Sequence, residues 1–124
     1  MSAGEITAND LYRQALGGTF RLAEPVARKC AANFLRFADA LDAQIDSSHR
    51  VHALTGFGGF DSARQLQHGF ESKAGQLTEA LTGLQDSALR MAAAYLLAAG
   101  LIRESDDSHS RALLAASAGL EPPG

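Results

Sequence analysis

The sequence predicts an all-α protein, an antiparallel hairpin of two long helices, on three observations. Alanine and leucine dominate a chain of 124 residues that has no tryptophan and only two tyrosines. Two long stretches carry apolar residues at alternating threes and fours, the signature of helices with one buried face. Between them lies LTGFGGFDSARQL, Leu54–Leu66, which no helix traverses comfortably. Gly56, Gly58 and Gly59 each cost a helix about 1 kcal/mol relative to alanine, and they permit the positive φ of a sharp reversal. Phe57 and Phe60 alternate with them and are expected to fold back over the open end of the helix pair. Asp61 and Ser62 then offer N-cap side chains, and Ser62 with Gln65 has capping-box spacing.

A chain of this length is one domain, divided here into an N-terminal extension (1–22), the hairpin (23–106) and a tail (107–124). A net charge of −3 argues against a nucleic-acid module, which normally carries a basic face. The single Cys30 makes no intramolecular disulfide and excludes a cysteine-based zinc cluster, and it leaves the redox compartment open. The start, MSAGEITANDLYRQ, lacks the basic and apolar regions of a usual signal peptide. The most apolar run, Met91–Ile102, falls far short of the ~20 residues a membrane span needs.

In the extension, Thr7 and Asp10 have capping-box spacing, and Ile6, Leu11, Ala15 and Leu16 share a face of a short helix. Gly17–Gly18 ends it. The first long helix, about 24–53, opens at Glu24–Pro25, because a proline in the first turn sacrifices no hydrogen bond. Its seam is Val26, Cys30, Phe34, Phe37, Leu41 and Ile45, followed in register by Ser48 and His52, so packing is expected to loosen towards the turn. The second, about 62–105, carries Phe70, Ala74, Leu77, Leu81, Leu84, Ala88, Met91, Tyr95, Ala98 and Ile102, a heptad seam over more than four repeats. Gly69, Gly75, Gly83 and Gly100 interrupt it, through either close approach of a neighbouring helix or simple tolerance.

At roughly 1.5 Å per residue, Ser62–Ser105 spans about 65 Å and Pro25–His52 about 40 Å. If both start from the turn, the chain beyond about Arg90 overhangs its partner helix. That part, MAAAYLLAAGLI, is apolar nearly all round and must be buried. The short first helix, the segment Ala112–Leu120 or a second molecule is expected to cover it. Beyond Ser105, SDDSHS is a polar break, RALLAASAGL is a weak final helix or a tail that orders on binding, and EPPG is expected to be disordered.

Residues with chemistry to offer form no recognisable catalytic set. His49 and His52 share a helical face, but nothing at convincing spacing completes a metal site. Gly56-x-Gly58 follows no strand, so a dinucleotide loop fails its structural requirement. Asp39, Asp42 and Asp46 read as a solvated flank. No catalytic residue, cofactor or metal is expected, and the chain is not expected to be an enzyme. A membrane-surface helix needs flanking basic residues, which Arg90 and Arg103 alone do not supply.

The layout resembles the WXG superfamily of small helical hairpins associated with type VII (ESX) secretion, in particular the EspC-like branch of actinobacteria. The resemblance covers roughly Ala23–Leu113. Phe57-Gly58-Gly59 stands where the family has its Trp-x-Gly turn, with Phe60 following. GFGGFDSARQL, then GFESKA and ALRMAAAY, are similar to that branch's wording. Relatives carry Tyr-x-x-x-Asp/Glu after the second helix as an export signal; here Ile102 and Asp106 occupy the matching positions, a degenerate form.

The resemblance implies a non-enzymatic hairpin that completes a four-helix bundle by pairing with itself or a related hairpin. The interface is expected at Leu77, Leu81, Leu84, Met91, Tyr95, Leu96 and Ile102. It also implies a secreted or cell-surface location reached without a cleaved signal peptide, and possible partners in a larger effector or toxin and in the secretion ATPase. The alternative is a cytoplasmic adaptor or immunity-type partner that is never exported.

Overall fold

A computed structural model describes residues 3–52, 59, 61–103 and 111–120, with the side chains of residues 3, 51, 52 and 112 excepted. Among the described residues the chain forms four helices and no strand: α1 (Ala3–Gly17), α2 (Glu24–His52), α3 (Asp61–Ala98) and α4 (Arg111–Ala118). The reversal expected around Phe57 lies mostly outside the described residues, as does EPPG.

Local chemistry accounts for the helix ends. Glu24 and Pro25 occupy the first turn of α2, where proline's missing N–H is no loss, and Glu24 accepts a hydrogen bond from Arg28 at 3.0 Å. At the end of α3, the Leu101 amide bonds to the Leu96 carbonyl at 2.9 Å and the Gly100 amide to that of Leu97 at 3.0 Å. That pattern is a Schellman motif, and it needs the left-handed conformation that Gly100 adopts at φ 71°. Gly18 and Gly119 end α1 and α4 in the same way.

Gly100 is therefore a stop rather than an interruption, and α3 runs Asp61–Ala98 rather than 62–105. At the other end of the chain, α1 begins at Ala3, one turn before the cap expected at Thr7. The C-terminal segment is not wholly a flexible tail, since it contains α4.

The chain divides into two compact units, one of Met1–Asp39 with Leu84–Gly124 and one of Ala40–Gly83. In the first unit, the Phe34 ring of α2 stacks on Tyr95 of α3, with centroids 5.6 Å apart, and Gln85 Nε2 donates to the Ala38 carbonyl at 2.8 Å. Moving forward along α2 thus means moving back along α3, so these segments run antiparallel. The Leu22 amide, just before α2, donates to the Ala98 carbonyl at 3.1 Å.

The end of α3 therefore lies beside the start of α2, and the expected overhang does not exist at this end. The length comparison placed it there because it let α3 run seven residues too far and started both helices level. The apolar run is nonetheless buried, as expected. Ala92, Ala93, Ala94, Leu96 and Ile102 form one core with Tyr12 of α1, Ala31, Ala32 and Leu35 of α2, and Leu114 and Ala118 of α4. The cover comes from this chain's own first and last helices.

Most of the buried hydrophobic residues are alanine, the best helix former and one small enough to let helices approach closely. The buried stripe of α2 is Ala27, Ala31, Ala32, Leu35, Ala38, Leu41 and Ser48, while Val26 and Phe37 of the expected seam are exposed. On α1, Ala8, Tyr12 and Ala15 are buried and Ile6 and Leu16 are exposed. Of the seam expected on the second long helix, Ala74, Ala88, Ala98 and Ile102 are buried as expected, but Gln85 and Ala92 join them while Phe70, Leu77 and Leu84 do not. The faces of α1 and α2 are turned by about one residue towards their alanines, whereas on α3 the expected face stays partly buried and widens to take in its alanines.

The second unit is more thinly packed, as the run of serine and histidine suggests. Its buried residues include Leu41, Ala74 and Ser48. Ser48 Oγ lies 2.6 Å from Thr78 Oγ1, 2.7 Å from the Ile45 carbonyl, and Thr78 Oγ1 is 3.0 Å from the Ala74 carbonyl. Two hydroxyl protons serve three contacts, so two of the three hydrogen bonds form at a time.

Candidate interaction surface

The alanine-lined interior leaves large apolar side chains on the outside. In the first unit, Phe37 of α2 and Leu84 of α3 are each 45% exposed. They border a groove of about 330 Å³. Phe34, Ala88 and Met91 line it with them, and Gly4 and Thr7 of α1 and Ser87 of α3 complete it. α1 lends only Gly4 and Thr7 to the lining, so the side chains of Phe34, Phe37, Leu84 and Met91 supply most of its apolar surface. Such a groove suits a large apolar side chain presented by another helix.

In the second unit, Leu66, Phe70 and Leu77 of α3 are exposed, Leu77 by 52%. Phe70 and Leu77 are seven residues apart, two helical turns, and so lie on one face of α3.

The residues singled out in the sequence separate into three groups. Leu77 and Leu84 are exposed, and Leu81, Met91 and Tyr95 are half-buried. Tyr95 is held between Phe34 and, edge-on, Phe20 at 5.6 Å. Leu96 and Ile102 lie in the intramolecular core, 0% and 5% exposed. Gly59 is an exposed bend, with nothing within 4 Å of where a Cβ would stand. Phe57, Gly58, Phe60 and Asp106 lie outside the described residues.

Among the described residues no group of three His, Cys, Asp or Glu side chains could hold a metal ion. His49 and His68 are exposed and Cys30 is half-buried. Asp39, on the acidic flank of α2, faces Arg111 at 3.5 Å. No described helix is long and apolar enough to cross a membrane.

Three long-range contacts carry no signal in the sequence pattern. The Arg90 guanidinium sits over the Tyr12 ring, 5.0 Å from its centroid. Gln85 bonds the Ala38 carbonyl, and Arg28 Nη1 donates to the Ser117 carbonyl of α4. No family model, curated protein or solved structure matches the chain.

Proposed function

We propose that this protein is a non-enzymatic helix-pairing module associated with type VII secretion, acting as an exported substrate or as a targeting partner. The observation that carries the pairing is the groove bordered by Phe37 and Leu84, an apolar surface that the chain's own helices leave open to water. Contact with another helix removes that surface from water and gains roughly 25 cal/mol per Å² of apolar area buried. Pairing no longer rests on an unmatched helix end, which α1 and α4 cover.

The secretion context comes from the resemblance of GFGGFDSARQL, GFESKA and ALRMAAAY to the EspC-like branch of the WXG superfamily. On this reading the protein forms a hairpin that completes a four-helix bundle with a second copy or a related hairpin. A larger effector or toxin and the secretion ATPase are its further partners, and it reaches the cell surface or medium without a cleaved signal peptide.

One observation favours the cytoplasmic adaptor as a second reading. Ile102 stands where relatives carry the export tyrosine, and it is buried in the core, where a receptor does not reach it. Fractionating cultures of the native host with and without the secretion ATPase separates the two. ATPase-dependent appearance outside the cell supports the substrate reading, and strict retention in both cultures supports the adaptor.

A further inference from the structure

We infer that α4 is a strap: a separately opening helix whose two ends are pinned to α2 by charges of opposite sign. At its last turn, Arg28 of α2 donates from Nη1 to the Ser117 carbonyl, and its Nη1 lies 3.9 Å from where a Gly119 Cβ would stand. At its first residue, Arg111 Nη1 is 3.5 Å from Asp39 Oδ1. Arg28 and Asp39 are eleven residues apart on α2, about 16 Å along the axis, and α4 with its cap spans a comparable distance.

At the carbonyl end of α4 the Arg28 cation is favourable against the helix dipole. At the amide end Arg111 is itself a cation, unfavourable there, and the Asp39 carboxylate offsets it. α4 therefore lies antiparallel to the segment of α2 that carries both charges.

The strap is weakly self-supporting. Eight residues are too few for a helix to persist alone in water, so α4 is helical because it is docked. Its docking includes the two end contacts, the fully buried Leu114, the buried Ala118 and the partly buried Leu113 and Leu120. Both pinning arginines are partly exposed, with side chains at 37% for Arg28 and 36% for Arg111, so water can compete for each contact. The core it covers has far more holding it: α3 is 38 residues long, and Ala92, Ala93, Ala94 and Leu96 are fully buried. Segments with few buried contacts open below the free energy of global unfolding. Opening of α4 lays bare the core around Leu96 and Ile102 while α1, α2 and α3 stay folded. The strap stands whether or not the pairing proposed above is correct.

Amide hydrogen exchange on the full chain tests this. The reporters are Ala115 to Leu120, whose amides are bonded within α4 and its cap, against Ala92 to Leu96 of α3. In the wild type the α4 amides are expected to be protected at least tenfold less than those of α3, with little dependence on added denaturant.

Two variants separate local from global opening. Arg28→Ala removes a hydrogen bond from a charged, partly exposed donor and is expected to lower α4 protection by about threefold to tenfold. Arg28→Lys, which keeps a cation at the helix end, is expected to recover part of it. Gln85→Ala removes a buried bond to the Ala38 carbonyl away from α4. It is expected to lower the protection of α3 and leave that of α4 unchanged, because α1–α3 are still folded when α4 opens. Equal protection and equal denaturant dependence of the two sets in the wild type would overturn the strap. So would a parallel loss in both sets for Gln85→Ala.

Discussion

Leu96→Ala should be among the most damaging single truncations in the molecule, and Leu77→Ala among the mildest. The heptad pattern in the sequence ranks the two the other way, since Leu77 is on its seam and Leu96 off it. Leu96 is 0% exposed, within a cluster that includes Ala92, Ala93, Tyr12, Leu35 and Leu114. Removing three carbons forfeits about 2.4 kcal/mol at roughly 0.8 per methylene. The neighbouring alanines have no side chain long enough to swing into the space, so the cavity persists and adds its own penalty. The sum is about 4 kcal/mol, in the upper part of the range for such truncations. Leu77, 52% exposed, should lose less than about 1 kcal/mol. Urea unfolding followed by circular dichroism, at concentrations where light scattering shows a single chain, measures both. With a slope of about 1.5 kcal/mol/M, the Leu96→Ala midpoint falls by roughly 2.5 M, whereas that of Leu77→Ala moves by under ~0.7 M. Equal losses, or a larger loss at Leu77, would refute the alanine-centred core and restore the leucine seam.

Glycines with different roles should respond oppositely to alanine. Gly69→Ala, inside α3 with open space where the methyl would go, is expected to gain about 0.5–1 kcal/mol, and Gly100→Ala, at φ 71°, to lose at least about 1 kcal/mol; thermal melts report both signs. Ser48→Ala and Thr78→Val, combined in a double-mutant cycle by urea unfolding, should show a coupling of about 0.5–1 kcal/mol, since either change alone removes the shared hydroxyl contact. Tyr12→Leu should cost about 1–2 kcal/mol through lost ring packing and the lost contact with Arg90, and in an Arg90→Ala background the loss should shrink by about 0.5–1 kcal/mol.

The helical class, the two long helices, the end of α1 and the start of α2 are legible because each rests on local chemistry: periodicity, a glycine stop and a first-turn proline. The end of α3 has a local signature too, which the reading of Gly100 as a glycine inside a continuing helix passes over. Gly100-Leu101 followed by polar Arg103 carries the same stop signal as Gly18, with an apolar residue after the glycine. The buried faces of α1 and α2 differ from the expected ones by about one residue, and that of α3 differs in part, because large side chains dominate the pattern. Where alanines border the leucines, both stripes have helical spacing. The tighter packing of two helices through alanine then decides which stripe turns inward, and pushes Phe37, Leu77 and Leu84 outward.

Contacts such as Arg28 with Ser117, 89 positions apart, have no local signature at all. The groove shares this origin, since it is bounded by three helices whose arrangement no spacing rule provides. Its two exposed walls, Phe37 and Leu84, were in the sequence as members of seams expected to face inward.

Light scattering coupled to size-exclusion chromatography, on the wild type and on Leu84→Glu, tests the pairing most directly. Leu84 borders the groove but is outside the core, so the variant should keep its helical content. The wild type is expected to run at twice the chain mass at tens of micromolar, alone or when mixed with a related hairpin, and Leu84→Glu at the mass of one chain under both conditions. A wild type that stays a single chain in both, with Leu84→Glu indistinguishable from it, would contradict the claim that this surface exists to meet another helix.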